Sequence, residues 1–357
     1  MNVHGGARAR RRLPIALAGL MALGLVSLAA QQQQAPPAAP AAGQPNFDAV
    51  NIETIQVRPN VAMLVGAGGN VTVQTGDEGV LVVDTQFAAM SAKLLAAIRA
   101  LSDGPIRYVV NTHMHPDHIG GNEALAKAGR TRAGGNVVGN IGSDATSQAS
   151  VIAHENVLKR LSAPTGGTAP VPFAMWPTET FFTEQRDMLF NGEAVQMFHQ
   201  PNAHTDGDIL VFFRRSDVIA TGDVFGTTGY PVLDVANGGH INGIVDALNR
   251  IIELAVPSNV EEGGTMIIPG SGRLCDEWEV VEYRDMVTIV RDRVQAMIKR
   301  GMTLEQVRAA QPTFEYDARY GAESGRWTTR MFVDTVYQNL TPAAPAKTTP
   351  GRTRSTP

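Results

Sequence analysis

Four side chains able to bind a metal ion fall within six consecutive residues, His113, His115, Asp117 and His118 in the string HMHPDH. Residues 106–111, just before it, read as a buried strand. On a strand-to-loop turn alternate residues project to the same side, so His113 and His115 can grip one ion while Asp117 and His118 face a second. Imidazole and carboxylate both suit zinc, and two ions about 3.5–4 Å apart can share one bridging oxygen. Taken alone, the string could also be a structural zinc site or a solvated loop. Three later features narrow the choice: His204 in AHTDGD, just before a strand; Asp223 in ATGDVF, just after one; and the turn PGSG at 269–272. Ligands carried on loops at strand ends are the arrangement of layered α/β domains.

The rest of the chain supplies such a frame. Residues 54–57, 62–65, 71–74 and 80–84 are short β-branched runs separated by Gly, Asn and Pro, which predicts consecutive antiparallel strands. Residues 88–101 carry Leu94, Leu95, Ile98 and Leu101 on one helical face. The section 142–177 mixes a predicted helix, containing His154, with a Pro/Gly-rich loop. Its aromatic segment 173–176 is expected to wall the substrate site. Strands are expected at 193–199, 208–213, 217–221 and 265–268, with helices at 242–254, 276–300, 304–310 and 328–340.

Taken together, HMHPDH, HTDGD, TGD and PGxG resemble the metallo-β-lactamase superfamily, and within it the glyoxalase II-like branch, over roughly residues 54–273. The resemblance implies an α/β (α+β) fold, a four-layer αββα sandwich with metals at one edge. It assigns His113, His115 and His204 to a first Zn2+, Asp117 and His118 to a second, and Asp223 between them. It also implies attack of metal-bound hydroxide on an ester, thioester, lactone or lactam bond, with Asp117 as the catalytic residue that orients the nucleophile and moves protons. Asp84 and Asp208 are candidates for orienting the imidazoles, or for plain structural hydrogen bonding.

One departure stands out. The family turn is PGHG, and this chain has Ser271 at the third position. A hydroxyl is a poor zinc donor beside imidazole, so one ion is expected to be held firmly, while the second is weakly held, exchanged for another metal or lost. His240 is a candidate replacement ligand, against the plainer reading of an exposed loop or substrate contact. His154 and His199 read as core or surface histidines, and the lone Cys275 as a packed apolar residue rather than a thiolate ligand.

Residues 8–12 hold four arginines and precede an apolar run at 13–30 ending in small residues. This predicts a signal peptide over 1–30, with a retained membrane anchor as the alternative. A flexible linker at 31–50, a catalytic domain at 51–340 including C-terminal helices, and a disordered tail at 341–357 complete the plan. Cleavage removes four arginines and no acids and takes the net charge from −4 to −8. That balance excludes a nucleic-acid partner and a polybasic membrane patch. A small-molecule substrate, a periplasmic or secreted location and no membrane insertion after cleavage are expected. Export and small molecules leave a β-lactamase open as the alternative activity, although Asp rather than Cys or Ser at the bridging position argues against an efficient one. A protein of another class, a mono-metal binder that has lost catalysis through Ser271, is a further alternative. A di-iron redox protein would need a flavin partner.

Overall fold

The computed structural model describes residues 45–131, 148–162, 167–260 and 263–341. The expected signal peptide, most of the linker, part of 142–177 and the tail after residue 341 lie outside them. Strands β1 (Glu53–Arg58), β2 (Val61–Val65), β3 (Val71–Gly76) and β4 (Gly79–Val83) form an antiparallel meander. Helix α1 (Ser91–Leu101) crosses over to β5 (Ile106–Val110), which lies parallel to β4. After the short helices α2 (Pro116–Ile119) and α3 (Asn122–Ala128), strand β6 (Ser150–His154), helix α4 (Glu155–Leu161) and strand β7 (Glu179–Phe181) extend the sheet in parallel, in sequential order β1 to β7.

A second sheet runs β12-β11-β10-β9-β8. It comprises β8 (Gln185–Phe190), β9 (Glu193–Gln200), β10 (Asp208–Phe213) and β11 (Val218–Ala220), all antiparallel, with β12 (Met266–Ile268) parallel to β11 after helix α5 (Ile241–Leu254). Helices α6 (Glu277–Lys299), α7 (Leu304–Ala309), α8 (Asp317–Tyr320) and α9 (Thr329–Leu340) follow. Among the described residues no helix is long and apolar enough to cross a membrane.

Side-chain alternation builds the layers. On β10, Ile209, Val211 and Phe213 meet Leu81, Val83, Val110 and Ile152 of the first sheet, while Leu210 and Phe212 face Leu248, Val287 and Phe332 of the helices. A strand covered on both faces has no polar side, which is why β10 reads as a continuous apolar run. On β4, Val80 and Val82 pack outward on Leu94, Ile98 and Leu125. The result is the αββα sandwich.

Two features differ from the sequence reading. Residues 150–154 are a strand, and the helix begins only at Glu155, so His154 is not helical. Its ring instead caps α4, Nδ1 accepting from Asn156 N–H at 3.3 Å. Strands β7 and β8, before residue 193, also carry too little pattern to be recognised. Short apolar runs fit strand and helix equally, and here burial between β5 and β7 decides for β6.

Candidate metal centre

Strands β4, β5, β11 and β12 all end at one edge of the sandwich, and the antiparallel β10 begins there. Their loops therefore meet: Ile209 N–H donates to Thr112 O at 2.9 Å, joining the two sheets below the site. Pro116 starts α2, where its fixed φ and missing donor cost nothing.

Three imidazoles converge. His115 Nδ1 lies 3.2 Å from His113 Nε2 and 2.9 Å from His204 Nε2. Asp223 Oδ2 stands 3.9 Å from His113 Nε2 and 3.8 Å from His204 Nε2, and these four donors lie within 4.8 Å of one another. The opposite nitrogens fix the tautomers. His115 Nε2 donates to Asp234 Oδ2 at 2.8 Å, and His204 Nδ1 to Val232 O at 2.8 Å. Thr112 Oγ1 spends its own proton on Asp84 Oδ2 at 2.7 Å, so it accepts from His113 Nδ1 at 3.1 Å. Each ring thus turns a lone pair toward the other two, an arrangement that is repulsive unless a cation lies between them. Burial, followed by the charges of His118 and His204, lowers the His113 pKa well below the usual imidazole value, so this ring stays neutral and free to ligate.

The second half of the centre repeats the pattern. Asp84 ends β4 in a left-handed conformation (φ 64°), and its buried carboxylate accepts from Thr112 N–H at 2.8 Å and from His118 Nδ1 at 2.8 Å. That bond points His118 Nε2, fully buried and without a hydrogen-bond partner, at Asp223 Oδ1 3.3 Å away. A Cβ at Gly69 would stand 2.6 Å from this nitrogen, so only glycine lets the 66–69 loop close over it. Both halves fit a cation by their donor chemistry. Burial lowers the His118 pKa, but the carboxylates of Asp223 and Asp84 outweigh it and hold it well above the usual value. Asp223 is conversely held low, its burial offset by His118.

Glycines allow the close approach. Gly222 adopts φ +52°, and a Cβ there would lie 2.5 Å from Thr112 Oγ1; a Cβ at Gly270 would lie 2.2 Å from Asp223 Oδ1.

The remaining candidates separate clearly. Asp117 lies in the first turn of α2, half-buried, outside the four-donor cluster; its carbonyl accepts from Gly69 N–H at 3.2 Å. Ser271 is exposed, with Oγ 3.4 Å from Thr228 Oγ1, in a cleft that Asp223 also lines. His240 is no substitute ligand: it caps α5, one ring nitrogen taking Asn242 N–H at 3.1 Å and the other donating to Asn339 O at 3.2 Å. Asp208 closes the AHTDGD turn by accepting from Thr205 N–H and Oγ1, and burial raises its pKa to about 6. Cys275 is buried and packed. His154 and His199 stack at 3.6 Å between the sheets, away from the cluster. Val171, Met175 and Trp176 pack on the same small cluster, Ile119, Ala153, Val157 and Leu161, as Met114 of the HMHPDH loop. Asp234 escaped the sequence reading, because no spacing links it to His115, 119 residues earlier.

This fold and this site define a metallohydrolase class, and the chain belongs to the metallo-beta-lactamase superfamily, which it matches over residues 64–258. Members of that superfamily, sulfatases among them, are hydrolases. The linear primary-alkylsulfatase of Pseudomonas sp. (strain ATCC 19151) is 26% identical over 254 residues, 64% of this chain and 47% of the relative. The chain therefore spans about half the length of the curated relative it matches. Among solved structures, the stereoselective inverting sec-alkylsulfatase Pisa1 from Pseudomonas sp. superposes with TM-score 0.57 at 16% identity, over 80% of this chain and 50% of that one. A metallo-beta-lactamase from Pontibacter korlensis gives TM-score 0.49 at 15% identity, over 67% of this chain and 99% of that one.

Proposed function

We propose that the protein is an exported, zinc-dependent hydrolase of ester-type bonds in small molecules. The observation that carries this reading is the ring of three inward lone pairs on His113, His115 and His204 beside Asp223 and the unpartnered His118 Nε2. His113, His115, His204 and Asp223 would hold a divalent ion, which would supply a lowered water pKa, toward about 7, and Lewis-acid polarisation of the bond under attack. The protein's own groups do the rest. Asp234, Val232 O and Thr112 hold the three imidazoles in their ligating tautomers, and Asp84 does the same for His118. Asp117, the acid of the HMHPDH loop, orients the attacking water and accepts its proton. Ser271 leaves the His118 half one strong donor short, so one ion is held firmly and the second weakly.

A second reading, hydrolysis of an alkyl sulfate ester, is favoured by the sequence likeness to the linear primary-alkylsulfatase. Export rests on the arginine-led apolar run at 8–30. The test is turnover by the purified mature chain of an aryl acetate, a lactone, an acyl thioester, dodecyl sulfate and a chromogenic cephalosporin, with zinc and with chelator. Chelator-sensitive turnover of at least one ester-type substrate is expected, and dodecyl sulfate alone would select the second reading. Firm binding of one zinc with no turnover of any substrate would overturn the enzyme assignment and leave a metal-binding protein.

A further inference from the structure

A cleft of about 230 Å³ opens beside Asp223 and runs between the 225–232 loop and residues 320–329. Its walls are Phe225, Tyr230, Tyr283, Tyr320 and Trp327. Tyr230 stacks on Phe332 at 4.6 Å, and Tyr283 meets Phe225 and Tyr320 edge-on at 5.1 and 5.4 Å, so the rings are fixed by one another. Two of their polar ends are already used: Tyr230 OH donates to Asp317 Oδ1 at 2.8 Å, and Tyr283 OH donates to Gly229 O at 2.9 Å, whereas Trp327 Nε1 is buried without a hydrogen-bond partner. What lines the cleft is mostly apolar ring surface, with the single unpartnered N–H of Trp327, rimmed by the hydroxyls of Thr228, Ser271, Thr328 and Thr329. Among the described residues that line it, Asp223 is the only charged one, and Asp223 belongs to the metal cluster. A carboxylate or ammonium placed deeper in the cleft would lose its hydration with no counter-charge.

We infer that this cleft holds the part of the substrate remote from the reacting bond, that this part is an uncharged apolar chain or ring, and that Trp327 sets how much of it is accommodated. Tyr283, Tyr320 and Trp327 all lie beyond residues 64–258, so the selection is made by the C-terminal segment of the chain, on α6, α8 and the loop between α8 and α9. The inference rests on the hydrolase reading only in calling the occupant part of a substrate.

Binding to the full mature chain in chelator tests it without hydrolysis. The probes are n-alkanols from butanol to octanol, together with octanoate and octylammonium, followed by tryptophan fluorescence and calorimetry. Affinity for the alkanols is expected to rise about fourfold per methylene until the cleft is full, with both ions at least about tenfold weaker than octanol. Trp327→Ala is expected to weaken octanol about tenfold and leave butanol within about twofold, with a thermal melt reporting its fold. Ala322→Leu, which narrows the cleft and keeps the tryptophan, shortens the longest alkanol that still gains affinity. Affinity independent of chain length, an octanoate that matches octanol, or wild-type octanol binding by both variants would overturn the inference. Alkanol binding as described in a chain that hydrolyses nothing removes the hydrolase reading and leaves the cleft assignment in place.

Discussion

Asp234→Ala isolates the contribution of a carboxylate that touches no metal. Its Oδ2 takes the Nε2 proton of His115 at 2.8 Å, with the two side chains 20% and 24% exposed. The bond is charge-assisted and partly shielded, in the range of about 1.5–3 kcal/mol. Its loss frees the ring to flip tautomer, so Nδ1 no longer reliably presents a lone pair to His113 and His204. Loss of such an outer partner lowers metal affinity by about 10–100-fold. Asp234→Asn keeps an acceptor and removes the charge, a change of about 1 kcal/mol, or roughly fivefold. Asp234 also holds the Asn237 turn through Asn237 N–H and Nδ2, so the metal-free melting temperatures of all three proteins must be compared. Competition for zinc against a chromogenic chelator at pH 7.5 reads the affinities. The order wild type, Asn, Ala in decreasing affinity is expected. Equal affinities in all three, with unchanged melts, would refute the claim that Asp234 sets the His115 tautomer.

Three further outcomes are expected. Ser271→His supplies the missing imidazole and raises zinc from one to two ions per chain at micromolar free metal, as counted by native mass spectrometry; a count that stays at one contradicts the role given to Ser271. Gly222→Ala forces a side chain into a left-handed φ and against Thr112 Oγ1 2.5 Å away, costing about 2 kcal/mol and lowering Tm by roughly 4–8 °C in calorimetry. His154 is held neutral by burial and by the stacked His199, its pKa lowered to about 4. The stability this gives is complete above the unfolded value near 6.5 and is lost as pH falls from there through about 4, up to about 3 kcal/mol. His154→Gln should flatten the difference in denaturant-measured stability between pH 7.5 and 4.5 in chelator, and an unchanged slope would contradict that burial effect.

The parts legible in the sequence were those fixed by local pattern. HMHPDH, AHTDGD and TGD lie where β5 ends, β10 begins and β11 ends, because strand termini are marked by glycine, proline and β-branched residues. The four-layer order follows from alternation on strands such as β4 and from the unbroken apolar run of β10. Less legible was anything set by contacts across the fold. β6 looks helical until it is buried between neighbours; β7 has only three residues; and β8 lies at the sheet edge with alternate residues exposed. Asp234 reaches His115 only through the turn that places Val232 O under His204. His240 resembled a ligand by residue type, yet its cap geometry commits both nitrogens elsewhere. The cleft unites the 225–232 loop with residues 320–329, and no sequence period connects them.

Isothermal titration of the chelated, mature chain with zinc, repeated on His113→Ala, His204→Ala and Asp223→Ala, bears most directly on the centre. Tight uptake of one ion per wild-type chain, lost in both histidine variants and weakened in the aspartate variant, is the predicted result. No heat of zinc binding to a folded wild-type chain, or affinity unchanged by removing His113 and His204, would contradict it.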